Sequence, residues 1–131
     1  MQRHCENTKK IADFLNSNAR VDHVYWPGFD FHKNHDIANK QMDDYGGMLS
    51  FKVKSNNNRD VFRILERLKI FTLAESLGGV ESLCCHPASM THASIPREER
   101  EKSGLSDSLI RLSVGIEDSD DLIQDLKQAI N

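Results

Sequence analysis

Leu109-Ile110-Arg111-Leu112-Ser113-Val114-Gly115-Ile116 is the stretch on which the reading of this chain turns. Successive side chains of a strand point to opposite faces, so Ile110, Leu112, Val114 and Ile116 share one face and Leu109, Arg111, Ser113 and Gly115 the other. A strand over 109–116 would pack its aliphatic face and turn Arg111 away from it. A lone arginine in such a setting suits a small carboxylate, because its planar guanidinium offers a fork of donors where lysine offers a point charge. Ser76-Leu77-Gly78-Gly79 provides a turn that can face it with a hydroxyl and backbone N–H groups. The plainer readings stand beside these: Arg111 as a solvated side chain on an edge strand, and the glycines as turn formers only.

Outward from this strand, Asp118 and Ser119 can cap a last helix whose Leu122, Ile123, Leu126 and Ile130 lie on one face. Before it, Pro96 to Ser103 reads as a short helix, with proline in the first turn and Gly104 as its left-handed stop. Phe71 to Leu73 forms a short extended piece. The polar turn Ser55-Asn56-Asn57-Asn58 caps a helix striped by Val61, Ile64, Leu65 and Leu68. Gly46-Gly47 opens into a strand from Met48 to Lys54, in which Leu49, Phe51 and Val53 alternate with polar residues. Phe29 to Tyr45 has no clear period and reads as a long loop with a helical turn around Ile37 to Met42. Val21 to Tyr25 is a strand stopped by Pro27-Gly28, and Arg3 to Asn18 is an amphipathic helix with Ile11, Phe14 and Leu15 on one face. This order predicts an α/β fold: a small two-layer sandwich, mostly antiparallel sheet, with helices on one face and Arg111 on the other.

A length of 131 residues suits one domain, and 38% hydrophobic with 28% charged residues is the composition of a globular protein. No apolar run approaches membrane-spanning length and the first residues lack a secretory pattern, so a cytoplasmic location is expected. Seventeen Lys and Arg against 20 Asp and Glu give a net charge of -3, with no footprint for nucleic acid or an anionic membrane. The cysteines Cys5, Cys84 and Cys85 are odd in number, and the adjacent pair reads as half-buried reduced thiols rather than a disulfide. His32, His35 and Asp36, or Cys84, Cys85 and His86, are ligand types without a second pair at zinc-site spacing, so a metal-dependent hydrolase is a weak reading and no metal is assigned. His92 lacks a nucleophile tied to it by any motif and receives no catalytic role.

The run Phe71-Thr72-Leu73-Ala74-Glu75-Ser76-Leu77-Gly78-Gly79, then Glu81-Ser82-Leu83, Pro87, Met90-Thr91-His92-Ala93-Ser94 and Ile110 to Asp118, resembles the C-terminal part of the transsulfuration enzymes. These are the pyridoxal-phosphate (PLP) enzymes that include cystathionine γ-synthase and cystathionine γ-lyase. His4 and Asn7, Val21 to Gly28, and Gln41 with Gly46-Gly47-Met48 extend the likeness over nearly the whole chain. The resemblance implies a single C-terminal substrate-binding domain of a fold-type-I enzyme over residues 1–131, contributing to formation or cleavage of carbon–sulfur bonds in homoserine- and cysteine-derived amino acids. It casts Arg111 as the holder of the substrate's α-carboxylate, Ser76 and Leu77 as co-binders, the latter through its backbone, Thr91 as a residue near the site, and Glu75 as an acidic position that attracts the distal ammonium of cystathionine.

PLP itself requires a lysine, an acidic partner for its ring nitrogen and donors for its phosphate, which the family carries on a large N-terminal domain absent from this sequence. Thr8-Lys9 superficially matches the family's catalytic segment but lies in the first helix without its flanks. No catalytic or cofactor-binding residue is therefore assigned, and the isolated chain is expected to bind no PLP and to be inactive. The implied partners are the amino-acid substrate, the missing PLP domain and, for the full-length family, a homotetramer. The alternative is a stand-alone, non-catalytic α/β module that binds a small carboxylate or a protein through the Arg111 face.

Overall fold

Alternating apolar residues build a five-stranded sheet in the computed structural model, which describes residues 1–55 and 57–131. In chain order the elements are α1 (Gln2–Asn16), β1 (Val21–Tyr25), α2 (His35–Gln41), β2 (Met48–Val53), α3 (Asn58–Arg67), β3 (Thr72–Leu73), β4 (Leu83–Cys85), α4 (Arg97–Lys102), β5 (Leu109–Ser113) and α5 (Ser119–Ile130). The strands lie in the order β1-β2-β5-β4-β3. All neighbours are antiparallel except β3 and β4, which run parallel at one edge. This is the mostly antiparallel α/β sheet expected from the sequence.

One face of the sheet meets α1, α3 and α5. Leu49, Phe51, Val53, Ile110 and Leu112 point from the central strands into the core, where Ile11 and Leu15, Val61 and Leu65, and Leu122 and Leu126 meet them from the three helices. Burying a side chain of this size contributes about 1.5–3 kcal/mol, so the aliphatic stripes rather than helix propensity hold the layers together. A bulge between Val21 and His23 lets Val21 and Val24 both face this core although their spacing is odd. Two caps match the polar turns. The Asn57 side chain accepts the Arg59 N–H, and Asp118 accepts those of Asp120 and Asp121. Asn56, counted in the first of these turns, lies outside the described residues.

Helix α4 ends as its glycine foretold. Gly104 has φ of 86°, its N–H bonds the Glu101 carbonyl, and the Leu105 N–H reaches back to the Arg100 carbonyl.

Four expectations need correction. The segment Phe29 to Tyr45 contains a full helix, α2, whose single buried residue, Ala38, leaves no apolar period to read. Strand β4 escapes period-2 reading because all three of its residues are buried. Cys84 and Cys85 are consequently 1% exposed each rather than half-buried. Strand β5 stops at Ser113, and Ile116 does not join the packed face but is 48% exposed, because the loop after β3 lies directly against Gly115.

Candidate functional site

The sheet registers place Arg111 in a row that crosses four strands on the face away from α1, α3 and α5. Tyr25 pairs with Ser50, Ser50 with Arg111, and Arg111 with Cys85. Side chains directly opposed in antiparallel strands sit roughly 5 Å apart, so Ser50 and Cys85 flank the Arg111 stem. Arg111 is half-buried. The ion pairs among the described residues involve Lys9, Arg63, Arg97 and Arg100, and none occupies Arg111. Its charge is felt by Cys85: burial pushes that thiol up, Arg111 pulls it down, and Glu75 adds to the rise. Glu75 and Arg111 therefore act on one buried thiol in opposite senses.

The Ser76–Gly79 turn is carried to the same place. Strand β3 runs beside β4, and the Ala74 N–H bonds the Cys84 carbonyl at 3.0 Å as the chain leaves the sheet edge. Gly78 then takes φ of 79°, a conformation glycine adopts without a Cβ penalty. The Gly78 N–H donates to the Ser113 hydroxyl at 2.8 Å. Ser113 lies two residues beyond Arg111 on the same face of β5, about 7 Å along the strand.

The loop remains fastened as it continues. The Ile116 N–H donates to the Val80 carbonyl at 2.9 Å. Glu117 accepts from the Ser82 N–H at 2.6 Å and from its hydroxyl at 2.8 Å, while the same hydroxyl oxygen accepts the Gly115 N–H at 2.8 Å. A Cβ on Gly115 would run into the Val80 carbonyl oxygen and come within 2.7 Å of the Glu81 backbone, so no side chain fits between loop and strand end. From the other side α1 supports the strand end: Asn7 Nδ2 donates to the Gly115 and Glu117 carbonyls at 3.1 and 2.8 Å, and His4 Nδ1 donates to the Val114 carbonyl at 2.7 Å.

Of the site residues expected from the sequence, Ser76 and Leu77 stand beside the strand that bears Arg111, and both are exposed, as is Glu75. Thr91 is exposed as well and shares its hydroxyl with His92 Nδ1 at 2.7 Å; no hydrogen bond among the described residues links it to the other four. His35 is tied to the Pro27 carbonyl at 2.7 Å and stacks on Tyr45, and His32 Nδ1 accepts the Asn34 N–H. Among the described residues no group of three His, Cys, Asp or Glu side chains stands close enough to hold a metal ion. A cavity of about 470 Å³ adjoins the Arg111 row, lined by Ser50 and Leu109 together with His23, Tyr25 and Phe31; Arg111 itself is not in its wall.

Sequence reading missed Ser82, Ser113 and Glu117 as parts of this arrangement. Ser113 alone carried a signal, as a hydroxyl within the apolar run Leu109 to Ile116, since a buried hydroxyl has to find partners; Ser82 and Glu117 stand among other polar residues and carried none.

Comparison with known proteins follows the same motifs. The profile of the family described as Cys/Met metabolism PLP-dependent enzymes matches residues 1–131. The chain is 54% identical over 130 residues to cystathionine beta-lyase of Coxiella burnetii, covering 99% of this chain and 33% of that protein. It is 50% identical to cystathionine gamma-lyase of Dictyostelium discoideum over 131 residues, covering 100% and 34%. The crystal structure of cystathionine gamma synthase from Xanthomonas oryzae pv. oryzae, in complex with aminoacrylate and cysteine, superimposes with a TM-score of 0.94 at 45% identity, covering 99% of this chain and 33% of that one. The chain thus spans about a third of the length of the relatives it matches.

Proposed function

Because the chain belongs to the Cys/Met metabolism PLP-dependent enzymes, we propose that it forms the C-terminal, substrate-orienting third of a transsulfuration enzyme of the cystathionine γ-synthase and γ-lyase type. The observation that carries this reading is the half-buried Arg111, free of any ion pair among the described residues, beside a turn fastened to its own strand. A substrate carboxylate docks on the guanidinium fork, with the Ser76 hydroxyl and the Leu77 N–H as further donors. Fixing the carboxylate orients the Cα and the carbon–sulfur bond before reaction, which is where positioning lowers a barrier. Glu75, exposed and within electrostatic reach of the Arg111 row, offers a negative charge to the distal ammonium of a cystathionine-like substrate. Thr91 is assigned to the neighbourhood of this site by family resemblance alone.

The residues of this chain do not fit PLP. An attachment lysine needs a sheltered position that favours its neutral form. Lys9 is instead paired with Asp13 at 3.0 Å on the exposed side of α1, Lys52 lies 5.5 Å over the Tyr25 ring, and the remaining lysines are exposed. Holding the cofactor falls in this reading to the length of the relatives that the chain does not span. That portion, an amino-acid substrate and further subunits of a cytoplasmic tetramer are the partners. Among the described residues no helix is long and apolar enough to cross a membrane.

The test is Arg111→Ala in the PLP-loaded enzyme that contains this chain. Removing one partner of a sheltered charge pair costs about 2–5 kcal/mol, roughly 30- to 4,000-fold in kcat/KM, with the loss mainly in KM and cofactor absorbance retained. Unchanged substrate kinetics would reject the assignment.

A further inference from the structure

We infer that Ser113 is a positioning residue: it holds the Ser76–Leu77 turn in register with Arg111, so that the carboxylate site is assembled before substrate arrives. This inference rests on the proposed role of Arg111 and adds what makes that role possible. Glu75, Ser76 and Leu77 are exposed and belong to no helix or strand, so nothing in their own packing fixes their distance from the arginine. Among the described residues, the one hydrogen bond that ties the Ser76–Gly79 turn directly to the β5 strand runs from the Gly78 N–H to the Ser113 hydroxyl, at 2.8 Å.

Three features make this bond a register pin rather than an incidental contact. Ser113 is 3% exposed, so its hydroxyl has little water to exchange with, and its side-chain oxygen points to the same sheet face as Arg111. The bond falls on the peptide immediately after Leu77, whose orientation limits where the Ser76 hydroxyl and the Leu77 N–H can point. It is also the first of three fastenings that climb the loop in step with the strand end: Gly78 to Ser113, Val80 to Ile116, and Ser82 to Glu117. The last two hold the far limb of the loop, and Gly115 brings that limb into backbone contact. Among the described residues of the strand end, only Ser113 hydrogen-bonds the limb that carries the proposed substrate donors. Without it, the turn remains attached to the domain while its donors swing relative to the guanidinium.

Ser113→Ala removes the acceptor with almost no change in volume. In the PLP-loaded enzyme containing this chain, L-alanine and ethylamine serve as competitive inhibitors, because they differ only by the carboxylate. Losing one hydrogen bond of ordinary strength weakens L-alanine about five- to tenfold. Ethylamine, which has no carboxylate to place, keeps its inhibition constant, so the ethylamine-to-alanine ratio falls by the same factor. Ser113→Thr, which keeps the hydroxyl, restores the ratio. If both inhibitors weaken in parallel, or the ratio does not move, Ser113 is a packing residue and the inference is wrong. Ser113→Cys, a weaker acceptor of similar shape, decides the matter in the same assay should the alanine variant not load PLP. Arg111→Ala run alongside separates the two levels. If it leaves the ratio intact, the carboxylate assignment itself fails; if it collapses the ratio while Ser113→Ala does not, only the positioning role fails.

Discussion

Replacing Asp125 by alanine should be among the most damaging single changes outside the site. Asp125 is a buried carboxylate on α5, 5% exposed, and it accepts the backbone N–H groups of Lys69 at 2.8 Å, Ile70 at 2.7 Å and Phe71 at 3.2 Å. Gln128 Nε2 adds a fourth donor at 3.0 Å. These three consecutive amides lie on the connection from α3 into β3, the approach to the Glu75–Gly79 turn. Hydrogen bonds to a charged acceptor contribute about 1.5–3 kcal/mol each. The Lys69 amide belongs to an exposed residue and can turn to water, whereas Ile70 is half-buried and Phe71 is 3% exposed. Counting two amides at the lower figure gives about 3 kcal/mol for Asp125→Ala, a large share of the roughly 5–15 kcal/mol that stabilises a domain. A loss of this size lowers Tm by roughly 10 °C in a chain of this length. Asp125→Asn keeps one acceptor oxygen but turns an NH₂ group toward a donor, so at least half of the loss should remain. Urea unfolding of the three proteins, followed by circular dichroism, measures the series. A loss under about 1 kcal/mol for Asp125→Ala would show that the connector finds other partners and that this carboxylate does not anchor it.

Two further outcomes follow from the same packing. Gly115→Ala should prise the 78–82 loop off the strand end, because its Cβ overlaps the Val80 carbonyl; a cost of about 1–3 kcal/mol in thermal melting and faster exchange at the Ile116 amide are expected, and an unchanged Ile116 amide counts against the contact. Burial, reinforced by Cys85 and Asp125, pushes the Cys84 thiol up to about 12, so between its ordinary range near 9 and that value the unfolded chain loses a proton that the folded chain keeps. Stability therefore falls as pH rises through that window, and Cys84→Ser should flatten the alkaline side of a stability-versus-pH profile; an identical slope in the variant refutes the assignment.

How much of this was legible beforehand follows from where each residue's partners lie in the chain. The faces of β2 and β5 are written in local alternation, and the stripes of α3 and α5 in helical spacing, so these elements and the side of Arg111 could be read directly. Strand β4 carries no such pattern because Leu83, Cys84 and Cys85 are buried on both faces, and α2 carries none because it buries only Ala38. The three backbone partners of Asp125 are more than 50 residues away, the Ser82 groups that the Glu117 carboxylate accepts from are 35 away, and Asn7 meets residues more than 100 positions on. No window of sequence contains such a pair. A polar residue in an apolar run signals that a partner exists without saying which one.

The same geometry bears on why reaction type is not written in these motifs. Proteins named cystathionine beta-lyase, L-methionine gamma-lyase and cystathionine gamma-lyase are all 48–54% identical to the chain over at least 125 residues. Under the proposed function, an anchor for the α-carboxylate would serve cystathionine and methionine alike, since amino acids share that end and differ at the other. Ser113, Gly115 and Glu117 also sit where a change removes a part-buried hydrogen bond or disturbs a close backbone contact. Glu75 has none of these ties: it is exposed and makes no hydrogen bond or ion pair among the described residues. Its side chain can therefore be exchanged at little cost to the fold, yet its charge still reaches the Arg111 row. A residue that is structurally free and electrostatically coupled is where substrate preference can change without rebuilding an anchor, so under the proposed function we place the discrimination between a cystathionine-like ammonium and a methionine-like thioether at Glu75 rather than at the arginine.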